Sequence, residues 1–228
     1  MVKIDRYYWV NLDRSIHRRA MMEEQFKKFR HLNGNAVRVS AVDGSTLNVN
    51  TKVFNYEGID YELSYYGLGS LLKQKQDFPG YELTYGALGF WLTHLNIFRT
   101  SVKTNQTYLV LDDDLIICSK FDDTVDGVLR ELPDDFDFCY LSTLTPRSLR
   151  WWEGVNYSKH LEIPKGGIFG PNGYIVSPKG AKKLLDNLKV IDRQLDSALW
   201  QLQGTINFYK SKDNIVNTNS DLKSEIQK

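Results

Sequence analysis

The sequence predicts an α/β fold with parallel strand pairing, on three observations. β-prone runs at 7–10 and 36–42 flank a stretch of helical periodicity, the order of a βαβ unit. The stretch 83–99 carries apolar residues on two faces of a helix, as a helix buried on most sides requires. Directly after it, apolar runs at 108–111 and 115–117 read as one buried strand with Asp112, Asp113 and Asp114 at its centre.

Size and charge narrow the class. A chain of 228 residues suits one large α/β domain or two small ones. We read one domain over 1–210, with a loop-rich insertion at 48–82 and a polar tail at 211–228. With 42% hydrophobic and 13% aromatic residues there is material for a sizeable core. The net charge of +1 supplies no overall basic field, so nucleic acid is not an expected partner and any phosphate binding must be local. No apolar run is long enough to span a bilayer, and Met-Val-Lys-Ile-Asp-Arg lacks the apolar centre of a signal peptide. A cytoplasmic location is the expectation. Cys118 and Cys139 sit in strand-like stretches and read as small buried hydrophobes.

In chain order, the first strand ends at Asn11-Leu-Asp13, and a helix should run from Arg14 to Arg30 with Met22, Phe26 and Phe29 inward. Asp13 or Ser15 would cap it. Arg14, Arg18 and Arg19 crowd its first turns, where cations oppose the helix dipole and an anion would relieve them; a solvated basic face is the other reading. The second strand stops at Asp43-Gly44. Loops at the carboxyl ends of parallel strands are where ligands bind, so Asn11–Asp13 and Asp43 share one edge. The insertion should hold one short helix near 68–75, closed by Phe78-Pro-Gly80. Thr84 caps the long helix, and Gly86 and Gly89 permit close backbone approach at its start. His94 lies on its second apolar stripe, as a core histidine or a ligand.

A helix around 124–131 and a strand at 136–141 follow the acids. The region 146–160 is irregular; Arg147, Arg150, Trp151 and Trp152 suit either stacking on a sugar or base, or covering a core edge. A strand at 174–177 leads to a helix capped by Ser177 with Pro178 in its first turn. Asp192 would cap a further helix to Gln201, with Asp196 one turn in and without an evident structural job. A last strand spans 205–209.

The three acids carry the chemistry. Alternation in an extended chain sends Asp112 and Asp114 one way and Asp113 the other. Two hard oxygen donors at a strand tip suit Mg or Mn, which take carboxylates together with diphosphate oxygens. The second Asp-x-Asp, at Asp135-Phe-Asp137, leads into a strand and ranks lower.

Several segments jointly resemble glycosyltransferase family 25. Residues 8–19 resemble its "INLDR…RR" opening, and Ala41-Val-Asp-Gly44 its "AVDG". Residues 83–95 resemble "LTxGExGCxLSHL", and Leu111-Asp-Asp-Asp-Leu115 resembles "LEDDV". Residues 173–185 resemble "xAYLISxxGAxKLL", and 194–199 resemble "PVDxxL". The order and spacing match over about residues 6–200. Ala87, Phe90, Asp112 and Asn172-Gly173 depart from the usual Glu, Cys, Glu and His-Ala.

The resemblance implies a GT-A-type Rossmann-like sandwich around a mixed, mostly parallel sheet. It implies an inverting hexosyltransferase using a nucleotide-sugar donor, typically a UDP-sugar, with Mn or Mg as cofactor and a glycan or glycoprotein as acceptor. Asp112 and Asp114 would bind the metal, with Asp112 also near the ribose. Asp43 would bind the base, Asn11 and Arg14 would line the nucleotide pocket, and Arg19 would neutralise phosphate. His94 and Asn172 would lie near the donor. Asp196 would be the base, or else hold a donor-sugar hydroxyl. The competing classes are a sugar-nucleotide hydrolase or nucleotidyltransferase, and a non-catalytic carbohydrate-binding module.

Overall fold

The computed structural model describes residues 1–73, 83–143, 152–166 and 168–222. In order these form β1 (Arg6–Asn11), α1 (Ile16–Phe26), β2 (Ala36–Ser40), a single 3-10 turn (Gly44–Thr46), β3 (Val53–Tyr56), β4 (Ile59–Leu63) and α2 (Tyr65–Leu71). Then come α3 (Tyr85–Thr104), β5 (Tyr108–Leu111), β6 (Leu115–Ile117), α4 (Phe121–Glu131), β7 (Phe138–Tyr140), β8 (Trp152–Asn156) and β9 (Leu161–Gly166). The chain continues through β10 (Gly173–Val176), α5 (Pro178–Asn187), β11 (Val190–Ile191), α6 (Leu195–Gln201), β12 (Phe208–Ser211) and β13 (Val216–Thr218).

An eight-stranded mixed sheet, ordered β2-β1-β5-β10-β7-β12-β9-β8, forms the centre of an α/β sandwich. Strands β2, β1, β5, β7, β12 and β8 run one way, and β10 and β9 run the other. Residue alternation divides the core into two layers, because successive side chains leave a strand on opposite faces. Val10, Tyr108, Val110, Phe138, Tyr174 and Val176 join the layer that holds α3, α5 and α6. Trp9, Leu109, Leu111, Cys139 and Ile175 join the layer beneath α1 and α4. Burial on both faces explains why these strands read as unbroken apolar runs.

Helix ends follow local chemistry. Thr84 accepts a hydrogen bond from the Ala87 amide at 3.0 Å and Ser177 accepts one from the Gly180 amide at 3.0 Å, both as expected. Helix α1 starts after Ser15 and stops at Phe26, short of the expected Arg30, and residues 27–35 turn back toward β2. Gln194, not Asp192, precedes α6; the Asp192 carboxylate instead pairs with Arg193 at 2.5 Å.

Two segments differ from expectation. The insertion contains a hairpin, β3–β4, besides α2. Its two-residue turn, Glu57-Gly58, has φ of 51° and 79°, the primed geometry whose twist matches the strands. Strand β11 extends this hairpin by parallel pairing to β4. The expected polar tail begins inside β12, and β13 then pairs antiparallel with β6. The closing turn expected at 78–80 and the residues Arg147, Arg150 and Trp151 lie outside the described residues, as does the side chain of Trp152.

Candidate active site

A cleft of about 340 Å³ opens at the carboxyl ends of β1, β2 and β5. That volume lies at the lower end of the range for small-molecule sites, roughly 300–1,000 Å³. Asn11, Arg14, Arg18, Asp43, Tyr85, Phe90, Thr93 and all three central aspartates line it.

Backbone contact brings the far wall into place. An added Cβ on Gly89 would sit 2.4 Å from the Val42 carbonyl oxygen, so α3 lies directly against the 42–46 loop. Thr93 Oγ1 accepts the Val42 amide at 2.9 Å. Asp43 then caps the 3-10 turn through the Ser45 amide at 3.0 Å and receives Arg14 Nε at 2.7 Å. The Arg14 hydrogen bond, outweighing burial and helped by Ser45, brings its carboxyl down to about 2.

The acids occupy a turn between β5 and β6, not a strand centre. Asp113 points inward: Asn11 Nδ2 reaches Oδ2 at 2.6 Å and Arg18 Nη1 reaches Oδ1 at 2.8 Å. Asn11 also donates to the Ser15 carbonyl at 3.2 Å and accepts Arg38 Nε at 2.9 Å. Both its amide hydrogens are thereby committed, and it shapes the wall through them. Arg18 Nη1 lies 3.7 Å from Asp114 Oδ2 as well. Burial, then the charges of Asp114 and Asp113, push the Asp112 carboxyl well above the usual range, against the opposing effect of Arg18.

That crowding of negative charge bears on metal binding. Among the described residues no group of three or more His, Cys, Asp or Glu could hold an ion by itself. Mg and Mn do not need one, since they take one or two carboxylates and complete their shell with water and substrate phosphate. Two carboxylates two residues apart on one cleft, one raised in pKa by burial first and then by like charges, fit that mode of binding.

The structure brings Asn11, Arg14, Asp43, Asp112 and Asp114 together around the cleft and leaves four expected residues off its lining. Arg19 is one: its Nη2 faces Asp13 at 3.8 Å. Arg18 occupies the inward position. With α1 starting at Ile16, Arg18, Met22 and Phe26 recur every fourth residue on the buried face, and Arg19 falls about 100° away. The same stripe is visible in the sequence, and following it one turn back would have found Arg18.

His94 lies behind Asp112, with Nδ1 2.7 Å from the Tyr174 hydroxyl and Nε2 3.9 Å from Asp112 Oδ1. Burial lowers its pKa to about 3 and leaves a neutral imidazole. Asn172 supports the acid turn from below. Its carbonyl accepts the Asp112 amide at 2.9 Å and its Nδ2 donates to Thr218 Oγ1 at 2.8 Å. Asp196 sits in the first turn of α6 and accepts the Ser197 amide at 2.6 Å. It therefore has a structural job, contrary to expectation. Burial raises its carboxyl pKa even against hydrogen bonds from Ser197 and the Gly170 backbone. Asp137 of the second Asp-x-Asp is fully buried on Lys183 at 2.5 Å and the Asn207 amide at 2.8 Å, a structural role.

The model of glycosyltransferase family 25 (LPS biosynthesis protein) matches residues 4–199. The chain belongs to this family. A glycosyltransferase 25 family member of Anopheles gambiae is 29% identical over 81% of the chain and 29% of its own length. Procollagen galactosyltransferase 1-A of Xenopus laevis is 27% identical over 81% of the chain and 28% of its own length. Procollagen galactosyltransferase 1 of Danio rerio is 27% identical over 64% of the chain and 23% of its own length. The chain thus spans under a third of the length of these curated relatives. Among solved structures, the inositol-1-phosphate CTP transferase from T. maritima aligns over 98% of this chain and 93% of that one, at 12% identity and a TM-score of 0.35, too loose a likeness to argue from. Every cleft residue lies inside the family match. Strand β13 lies beyond it and still reaches the site, because the Asn219 amide donates to the Asp114 carbonyl at 2.7 Å.

Proposed function

We propose that the chain is a metal-dependent inverting glycosyltransferase, moving a sugar from a nucleotide-sugar donor, a UDP-sugar, to a hydroxyl of a glycan or glycoprotein. The observation that carries this reading is one cleft lined jointly by Asp112 and Asp114 and by Asp43, Arg14, Tyr85 and Phe90.

The residues divide the work by their chemistry. Asp43, ionised at neutral pH, accepts N–H groups of the base. Tyr85 and Phe90 offer aromatic surface to it. Arg14 and Arg18 place positive charge beside the phosphates. Asp112 and Asp114 would hold a Mn or Mg ion, which when bound would offset the negative charge growing on the diphosphate leaving group. In an inverting transfer the acceptor oxygen bonds to the anomeric carbon as the diphosphate oxygen departs, and a carboxylate takes the hydroxyl proton. Asp196 is our candidate base. Burial raises its carboxyl pKa, which makes the ionised group a stronger proton acceptor, and it lies off the cleft lining.

The test is a panel of UDP-, GDP- and TDP-sugars, each with and without Mn2+, read first by thermal shift and then by transfer. The relatives' names put a galactose donor and a procollagen acceptor early in the panel, and the family description adds lipopolysaccharide fragments. A donor at 100 times its Kd adds about 2.7 kcal/mol, which at this chain length raises Tm by roughly 5–10 °C. Asp114→Ala should lose both the Mn2+-dependent shift and transfer while keeping its unliganded Tm. If no nucleotide sugar stabilises the protein with Mn2+, the reading fails. Donor cleavage that no acceptor accelerates would instead indicate a sugar-nucleotide hydrolase.

A further inference from the structure

A fully buried polar pair stands directly behind the cleft without lining it. His94 and Tyr174 are 0% and 1% exposed. They sit on α3 and β10, whose packing brings the Tyr174 hydroxyl within 2.7 Å of His94 Nδ1. The imidazole is wedged among Phe90, Phe98 and Tyr174, with ring centroids 4.1, 6.5 and 5.6 Å away. Its orientation is therefore set by packing. The other ring nitrogen, Nε2, is buried and has no hydrogen-bond partner. A buried polar atom left unpaired is costly, and native proteins keep few of them. The nearest charged atom to it is Asp112 Oδ1, at 3.9 Å.

The tautomer follows from counting protons. A neutral imidazole carries one N–H. Among the described residues the Tyr174 hydroxyl meets His94 and no other hydrogen-bonding group. If the hydroxyl donates to Nδ1, its proton is satisfied and the imidazole proton is on Nε2, facing a carboxylate. If Nδ1 donates to the hydroxyl, the phenolic proton is left without an acceptor and the Nε2 lone pair faces Asp112. The first arrangement satisfies every group, provided the 3.9 Å gap closes. Hydrogen bonds of catalytic groups are often long without substrate and tighten on binding.

We infer that His94 is a positioning residue: Tyr174 fixes its tautomer, and its Nε2–H holds one oxygen of Asp112 so that the other faces the cleft. This rests on the proposed role of Asp112 as a metal ligand, and it replaces the expectation that His94 touches the donor. The device resembles the outer hydrogen bonds that orient ligands at metal sites, with the imidazole here orienting a carboxylate.

The test uses the whole chain and has two readouts. The first is the 15N chemical shifts of the His94 ring in metal-free protein, assigned with the help of His94→Gln. The expected result is protonated Nε2 and bare Nδ1, with Tyr174→Phe losing that single tautomer. Protonated Nδ1 in the wild type would leave Nε2 with no hydrogen to hold Asp112, and it overturns the inference. The second readout is the Mn2+ titration, by calorimetry, of wild type, Tyr174→Phe, His94→Leu and His94→Gln. Tyr174→Phe keeps the ring that stacks on Phe138 at 4.6 Å, and so removes little packing. We expect about tenfold weaker Mn2+ binding for Tyr174→Phe and His94→Leu, and recovery in His94→Gln, whose amide N–H can reach the Nε2 position. Equal Mn2+ affinity in all four proteins refutes positioning. A wild type with protonated Nε2 that binds no Mn2+, either alone or with a nucleoside diphosphate present, refutes the metal reading of Asp112, and the positioning role with it. The two failures are thus told apart by the spectrum and the titration.

Discussion

Removing the Arg18 guanidinium tests how the acid turn is held. Arg18 and Asp113 side chains are 10% and 11% exposed and meet at 2.8 Å. Arg18→Leu leaves the Asp113 carboxylate with Asn11 Nδ2 at 2.6 Å and no facing positive charge from α1. Breaking a buried pair on one side costs about 3–5 kcal/mol, since it strands a charge in poor solvent. Leucine continues the apolar stripe of Met22 and Phe26, so lost packing contributes little. For a chain of this length such a loss lowers Tm by roughly 6–20 °C. The assay is urea unfolding followed by the fluorescence of the five tryptophans, backed by calorimetry. The double variant Arg18→Leu/Asp113→Leu removes both charges and should recover at least about 2 kcal/mol of the summed single losses. Arg18→Lys keeps the charge but not the planar guanidinium whose Nη1 meets Asp113 at 2.8 Å and lies 3.7 Å from Asp114, and should fall between. An Arg18→Leu loss below about 1 kcal/mol, or strictly additive singles, would show that solvent screens the pair and that the turn is held by its backbone.

Gly89→Ala places a Cβ 2.4 Å from the Val42 carbonyl and 2.8 Å from the Gly44 amide nitrogen, so α3 and the Asp43 loop must part. Overpacking of this kind costs about 1–3 kcal/mol, and donor KM should rise more than kcat falls; unchanged Tm and KM would mean that the loop yields freely. Asp196→Asn keeps an oxygen for the Ser197 amide, so Tm and donor binding should hold while turnover drops about 100-fold or more. Near-normal turnover would move the base elsewhere. Glu131 links α4 to the β8–β9 turn: burial acts to raise its pKa, but hydrogen bonds from Ser158 and from the His160 amide and ring outweigh this and bring it from 4.5 to about 2. A depressed folded pKa means stability that is present above the unfolded value and lost as pH falls from 4.5 to about 2. Urea midpoints measured down that window should fall more steeply for wild type than for Glu131→Gln; parallel curves would refute the linkage.

Much of the fold was legible because its signals are local. Thr84 and Ser177 cap their helices through side chains one turn away, and the sequence shows both partners. Buried strands such as β5 announce themselves as apolar runs whichever layer each residue joins. The acids stood out for the same reason, as three charges between two apolar runs, which the structure resolves into β5, a turn and β6. The hairpin turn Glu57-Gly58 was missed because glutamate is a poor marker of positive φ, and only the flanking pairing imposes it. Strand β13 was missed because a polar, three-residue strand has no pattern of its own and exists through its ladder to β6.

The sequence by itself determined the family, the alternation that divides the core, and the residue types that meet diphosphate chemistry. Those properties are written in nearest neighbours and in periods of two and 3.6 residues. Only the tertiary structure decided which arginine faces the acids, that Asn172 and Asn219 secure their turn, and that a histidine 18 residues before Asp112 stands 3.9 Å behind it. Helix phase, strand order and side-chain burial set those distances, and each depends on contacts between elements far apart in the chain.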